Sequence, residues 1–140
     1  MTTVVDSNVL VALWDRDREV SAAARRALDT AFERGRLVAP APVFAELMAG
    51  KGRAEAFLDQ FFRETAILVI WDLEETIWRA AGRAFSEYAA RRRQRGDAGS
   101  RRILADFLIG AYAAENGFTL LTLDNGVYRA AFPGLKIQRA

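Results

Sequence analysis

Four acidic side chains stand alone in the least polar stretches of this 140-residue sequence. Asp6 follows Val4-Val5, and Asp124 follows Leu120-Leu121-Thr122-Leu123. Glu46 is the single charge in residues 37–50, and Asp106 the single charge in "ILADFLIGAYA", residues 103–113. An unpaired buried carboxylate costs several kcal/mol, and the usual remedies are a cationic partner, a raised pKa or a bound metal. No Lys or Arg lies inside any of these segments, so a divalent cation shared by all four is the economical answer. Each acid also has a plainer reading. Asp6 can cap a helix at "DSN", and Asp124 can belong to an Asp-Asn-Gly turn. Glu46 and Asp106 can reach solvent from a helix edge or pair with distant arginines.

Composition narrows the chemistry further. The chain has no Cys and no His. That excludes disulfides, thiolate sites and Ser-His-Asp or Cys-His catalysis, and argues against zinc, which draws mainly on those ligands. An enzyme built from these residues must use carboxylates, hydroxyls, Lys, Arg or a metal held by oxygen. Hydrophobic residues make up 51% and charged residues 27%, as in a globular domain. No window reaches the roughly 18 consecutive apolar residues of a membrane span. The N-terminal "MTTVVDS" lacks the basic and apolar regions of a secretory signal, so cytoplasmic residence is expected.

The elements that must position the acids alternate along the chain. "TVVD" (3–6) reads as a short buried strand, with an apolar helix over about Asn8–Trp14 after it. Residues 20–34 carry Val20, Ala24, Ala27, Leu28 and Ala31 at helical spacing. "RLVA" (36–39) reads as a second strand, after which Pro40 and Pro42 open a helix holding Glu46 and stopping at Gly50. "EAFLDQFF" is helical, and "AILVIW" (66–71) is a third strand. Asp72 and Glu75 have the spacing of a capping box for a long helix with Ile77, Ala80, Ala81, Ala84, Phe85 and Tyr88 on one face. "RQRGDAGS" (93–100) reads as a loop. The helix of Asp106 is expected to start near Ser100 and end at Asn116-Gly117. "FTLLT" (118–122) is a fourth strand, Asn125-Gly126 a turn and "LKIQ" (135–138) a fifth strand. This alternation predicts one domain over 1–140, an α/β fold of three α/β/α layers around a short, mainly parallel sheet. Asp6 and Asp124 then fall at carboxyl ends of strands, where such sheets bind ligands.

The formal charge is +2, and of 20 basic residues only Lys51 and Lys136 are lysine, leaving 18 arginines. Arginine's planar fork suits phosphate or carboxylate. Arg91, Arg92, Arg93, Arg95, Arg101 and Arg102 crowd into twelve residues containing one acid, Asp97. This run could flank a polyanionic substrate, form a solvated helix end, or dock an acidic protein.

Taken together, "VVDSNVL", "PAPVFAEL", "RRILADFLIGAYAAENGFTLLTLD" and the closing "FPGLKI" resemble a PIN-domain ribonuclease, specifically the VapC-type toxins of toxin–antitoxin pairs. The resemblance spans essentially the whole chain. It implies that Asp6, Glu46, Asp106 and Asp124 form the family's acidic quartet. Thr122 matches its recurrent hydroxyl, and Asn8 its polar residue after the first acid. Leu123 departs from the pattern, since the family often places a basic residue there. Asn125 and Gly126 occupy positions where many members add another acid, so one or two metals remain open. The resemblance further implies cleavage of RNA, a Mg²⁺ or Mn²⁺ cofactor, a cognate antitoxin and a homodimer. Asp6, Asp106 and Asp124 would be principal ligands, and Glu46 a ligand to a second metal or the group that orients the attacking water. Thr122 and Asn8 would steady the carboxylates or waters.

Three other classes can be weighed on the same residues. A phosphoacceptor receiver domain wants paired acids after the first strand and a Lys after the last, and both are missing. A haloacid-dehalogenase-like phosphatase needs Asp-x-Asp where this chain has Asp6-Ser7-Asn8. The closer rival is a catalytically inactive PIN-like module that binds RNA or protein. Trp14, Trp71 and Trp78 could stack bases, although their apolar surroundings favour packing in the core or a dimer.

Overall fold

A computed structural model of the chain describes residues 1–96 and 103–140. The strands among these residues are β1 (Thr2–Val5), β2 (Arg36–Pro40), β3 (Leu68–Ile70), β4 (Thr119–Thr122) and β5 (Lys136–Arg139). They form one sheet in the order β3-β2-β1-β4-β5, with every pair parallel. The helices are α1 (Ser7–Leu13), α2 (Arg18–Arg34), α3 (Ala41–Met48), α4 (Glu55–Thr65), α5 (Glu75–Gln94), α6 (Leu104–Asn116) and α7 (Gly126–Ala131). The expected α/β/α architecture is therefore present, and its sheet is wholly parallel.

The order follows from burial. Val4, Val5, Leu37, Val38, Leu120 and Leu121 are all fully buried, as the central strands of a parallel sheet covered on both faces must be. The chain enters at β1, steps outward through β2 and β3, then crosses back to β4 on the opposite side of β1. Right-handed crossovers send the two halves of the chain to opposite faces. Accordingly α1 packs on α2, and α5 on α6. The reversal of strand order between β1 and β4 leaves a crevice beyond their carboxyl ends. The backbone pins it, with the Asp6 amide donating to Leu121 O at 3.0 Å.

Local signals explain most boundaries and several corrections. Asp17, just outside α2, accepts from the amides of Glu19 and Val20, so α2 starts at Arg18. Val20 then lies on its exposed side. Pro40 caps α3, and Pro42 fits the first turn, where no intrahelical amide is needed. The third strand is shorter than 66–71 because Ala66 ends α4 in the left-handed conformation, at φ 59°. Trp71 lies beyond the strand. The Asp72–Glu75 capping box is absent, since α5 is preceded by Glu74 and has no side-chain cap. Asn125-Gly126 opens the short helix α7 instead of a simple turn. Gly117 closes α6 in the left-handed conformation, as its position predicts.

The helix α6 starts at Leu104 after Ile103, while Ser100, near which its start is expected, lies outside the described residues; this changes the reading of Asp106. The acid sits in the first turn, where free amides and the helix dipole favour a negative charge. That supplies part of what its apolar sequence surroundings withhold.

Candidate active site

Asp6 ends β1 and caps α1, so the sheet and the first helix both hold it. It is buried, 3% exposed, and each carboxylate oxygen has donors. Oδ1 accepts the Ser7 amide at 2.7 Å, with the Ser7 hydroxyl at 3.4 Å. Oδ2 accepts the hydroxyls of Thr122 at 2.9 Å and Tyr128 at 2.8 Å. Burial pushes its pKa upward, and the bonds from Tyr128, Thr122 and Ser7 oppose the shift.

Ser7 links this acid to the next. Its hydroxyl lies 2.9 Å from Glu46 Oε1, joining the start of α1 to α3. Glu46 is half-buried. Desolvation raises its pKa first, Ser7 lowers it, and the nearby charges of Asp106 and Asp6 raise it again. Glu46 thus lies within electrostatic reach of Asp6 and Asp106 at the carboxyl edge. Tyr128 is buried beside them, its phenol held well above its ordinary value by desolvation and by the charges of Asp6, Asp106 and Glu46. Gly110 on α6 gives α7 room to bring Tyr128 in, since a Cβ there would collide with the Phe132 ring.

The fourth acid joins through the backbone. A hydroxyl has one proton, and the carboxylate of Asp6 is the strongest acceptor near Thr122 Oγ1. The Thr122 oxygen then accepts the Asp124 amide at 3.1 Å and Asn8 Nδ2 at 3.2 Å. Asn8 Oδ1 in turn accepts the Leu123 amide at 3.1 Å. Asp124 itself is half-buried, and its Oδ1 accepts the Gly126 amide at 3.2 Å. Thr122 and Asn8 therefore tie β1, α1 and the turn after β4 into one hydrogen-bonded unit.

Among the described residues, no three acidic side chains stand close enough, as placed here, to enclose one metal ion. The donor set nevertheless fits a hard divalent cation, being entirely oxygen and negatively charged. Mutual repulsion within it, visible at Glu46, is what such a cation would relieve.

Ser7 and Tyr128 are the contributors that sequence reasoning missed. The adjacency of Ser7 to Asp6 was a usable signal. Tyr128 gave none, because it sits on the unexpected helix α7. Of the arginine run, Arg91, Arg92 and Arg93 end α5, where positive charge suits the helix dipole. Arg92 also approaches Tyr88, its Nη1 donating to the hydroxyl at 3.3 Å. Arg93 and Arg95 are exposed. Arg101 and Arg102 lie outside the described residues.

No curated protein matches this sequence. Among solved structures, the chain resembles VapBC2 from Rickettsia felis bound to a promoter DNA fragment, with a TM-score of 0.71 and 18% identity over 100% of this chain and 99% of that one. It resembles FitAcB from Neisseria gonorrhoeae at a TM-score of 0.61 and 21% identity, covering 96% and 95% of the two chains. VapBC from Salmonella typhimurium bound to DNA gives 0.63 and 16%, covering 99% and 98%. These likenesses are of fold. The sequence itself matches the PIN-domain family model over residues 3–133, across the sheet and the acids just described. The chain belongs to the PIN-domain family.

Proposed function

We propose that this chain is a Mg²⁺- or Mn²⁺-dependent ribonuclease, the toxin of a VapBC-type pair, hydrolysing RNA phosphodiester bonds. The observation that carries the reading is the hydrogen-bonded assembly at the carboxyl edge, where Ser7 joins Asp6 to Glu46 and Thr122 joins Asp6 to the Asp124 backbone, with Asp106 near enough to raise the Glu46 pKa. Asp6, Asp106 and Asp124 would hold the ion, with Glu46 beside them. When bound, a divalent ion lowers the pKa of coordinated water and neutralises charge on a phosphate oxygen.

The protein groups have distinct tasks. Asp6 is held by three donors, the Ser7 amide and the hydroxyls of Thr122 and Tyr128, so it sets the position of the others. Glu46 is less encumbered, and its raised pKa suits it to orient the attacking water and take its proton. Thr122 and Asn8 hold Asp6 and the Asp124 backbone in register. Cleavage of RNA in the presence of Mg²⁺ or Mn²⁺, abolished by EDTA and by Asp6→Asn with the fold intact, tests the proposal. Full activity in that variant would remove Asp6 from the mechanism.

A cognate antitoxin is supported by the VapBC complexes among the similar folds. A homodimer is supported by Trp71 and Trp78, 61% and 51% exposed, which line one shallow groove with Pro42 and Leu73. Trp14, in contrast, is enclosed edge-on by Phe57 and Phe61 and serves packing. A cytoplasmic site of action belongs to the same proposal. Among the described residues, no helix is long and apolar enough to cross a membrane.

A second reading, a catalytically inactive PIN-like module binding RNA or protein, draws on one observation. Both oxygens of Asp6 already carry protein donors. Metal-independent binding without cleavage would select it.

A further inference from the structure

Away from the acids, the junction between α1 and α2 forms a groove of about 420 Å³ lined by Asp15, Arg16, Arg18, Ser21, Ala22, Arg25 and Arg26. Four arginines face one acid there. All four are exposed, and among the described residues none has a carboxylate within ion-pairing distance. Of the nearby acids, Asp15 accepts the Asp17 amide and Asp17 those of Glu19 and Val20, and the carboxylates of Glu19 and Asp29 lie beyond ion-pairing distance of the four arginines. The guanidinium forks are therefore free to bind an external anion.

The groove is built on a fixed base. Ser21 donates to Leu13 O at 2.7 Å, locking the first turns of α2 against the end of α1. Small side chains at Ser21 and Ala22 lie between Arg18 and Arg25, which recur at helical spacing on one face. That leaves a shallow floor with bidentate donors on either side. Forks of this kind match phosphodiester oxygens better than a point charge does.

Its position relative to the acids follows from the chain path. Asp6 caps α1, and a helix of seven residues is about 10 Å long. The groove begins where that helix ends. Since α2 must return the chain to the start of β2, beside Thr2, its arginine-bearing N-terminal end lies toward the carboxyl edge of the sheet.

We propose that this groove binds the phosphate backbone of the RNA substrate one short helix away from the cleavage site, an inference that rests on the nuclease reading. It grips phosphates irrespective of base and offsets the repulsion between a polyanion and the acidic cluster.

The test is binding of a short single-stranded RNA in EDTA, where no cleavage occurs, followed by fluorescence anisotropy at several salt concentrations. Replacing Arg16, Arg18, Arg25 and Arg26 by Gln should weaken binding at least tenfold. The slope of log affinity against log salt should fall by about 0.7 for each phosphate that the variant no longer neutralises. Replacing the same residues by Lys keeps the charge and should retain most of the slope, which separates ligand binding from damage to the fold. Wild-type slope and affinity in the Gln variant would overturn the groove while leaving the nuclease reading intact. Absence of RNA binding by the wild type in EDTA would overturn the groove, and the nuclease reading falls separately, if no RNA is cleaved when Mg²⁺ or Mn²⁺ is supplied. An unchanged RNA slope with salt-sensitive binding of polyglutamate would assign the groove to an acidic protein segment and overturn the proposal.

Discussion

The end of β1 and the end of β4 look alike in sequence, each an apolar strand followed by an aspartate, yet the fold treats the two acids differently. Asp6 is buried, takes donors on both oxygens and has a raised pKa. Asp124 is half-buried and uses Oδ1 to receive the first amide of α7. Position explains the contrast. β1 is the middle strand, walled by β2 and β4, whereas the turn after β4 lies nearer the sheet edge and leads into a short helix. Asp6 is thereby a rigid anchor, and Asp124 a more accessible acid tied in through Thr122.

Replacing the anchor gives the largest effect. Asp6→Asn should reduce metal-dependent RNA cleavage by more than the roughly 10–100-fold typical of losing a residue that supports a ligand. Its effect on metal-free stability should run the other way. A raised pKa means that the folded chain binds the proton more tightly than the unfolded chain, whose value is 3.8. Metal-free stability therefore falls as pH rises from about 3.8 through the raised value, then levels off. Asp6→Asn should shrink that decline and leave stability at neutral pH unchanged or higher. Glu46, with an ordinary value of 4.5 also raised, should preserve the remainder. Urea unfolding in EDTA across pH measures both, and an unaltered decline would deny the burial argument.

Cutting the link between the two acids comes next. Thr122→Val removes a donor to Asp6 and an acceptor for Asn8 and the Asp124 amide. Cleavage should drop by about 10–100-fold, read from rates at saturating metal. A wild-type rate would show that the acids need no shared hydroxyl.

Tyr128→Phe tests the anchor from its other side. Loss of a hydroxyl bonded to a carboxylate should destabilise the fold by about 1.5–3 kcal/mol. It should also move the pH-dependent decline upward, because Asp6 loses a bond that favours its charge. Urea midpoints at low and neutral pH distinguish these effects.

The smallest stability change belongs to the accessible acid. Asp124→Asn keeps an acceptor for the Gly126 amide and should alter metal-free stability by no more than about 0.5 kcal/mol while lowering activity. A large loss of stability would erase the contrast between the two strand ends.

What is legible in the residues alone divides along the same physical lines. The strands stand out because buried parallel strands are short apolar runs with sharp ends, as at Val4-Val5 and Leu120-Leu121. The order β3-β2-β1-β4-β5 is set by long-range packing and leaves no local mark beyond the alternation. A six-residue helix such as α7 is too short to show periodicity, so Asn125-Gly126 looks like a turn and Tyr128 goes unmarked. The Asp72–Glu75 spacing satisfies a capping pattern that the chain does not use, since the helix begins one residue after Glu74. The acids themselves are plain to see, because isolated charge in an apolar segment is conspicuous. The bridge from Asp6 to Glu46 through Ser7 depends on the meeting of α1 and α3, which only the assembled fold specifies.

The most direct measurement is a Mn²⁺ titration followed by electron paramagnetic resonance, on the wild type and on four single variants, Asp6→Asn, Glu46→Gln, Asp106→Asn and Asp124→Asn. If these acids share one centre, the wild type quenches the free Mn²⁺ signal with a defined stoichiometry and each variant binds more weakly. No binding by the wild type, or binding indifferent to all four substitutions, would contradict a common metal centre.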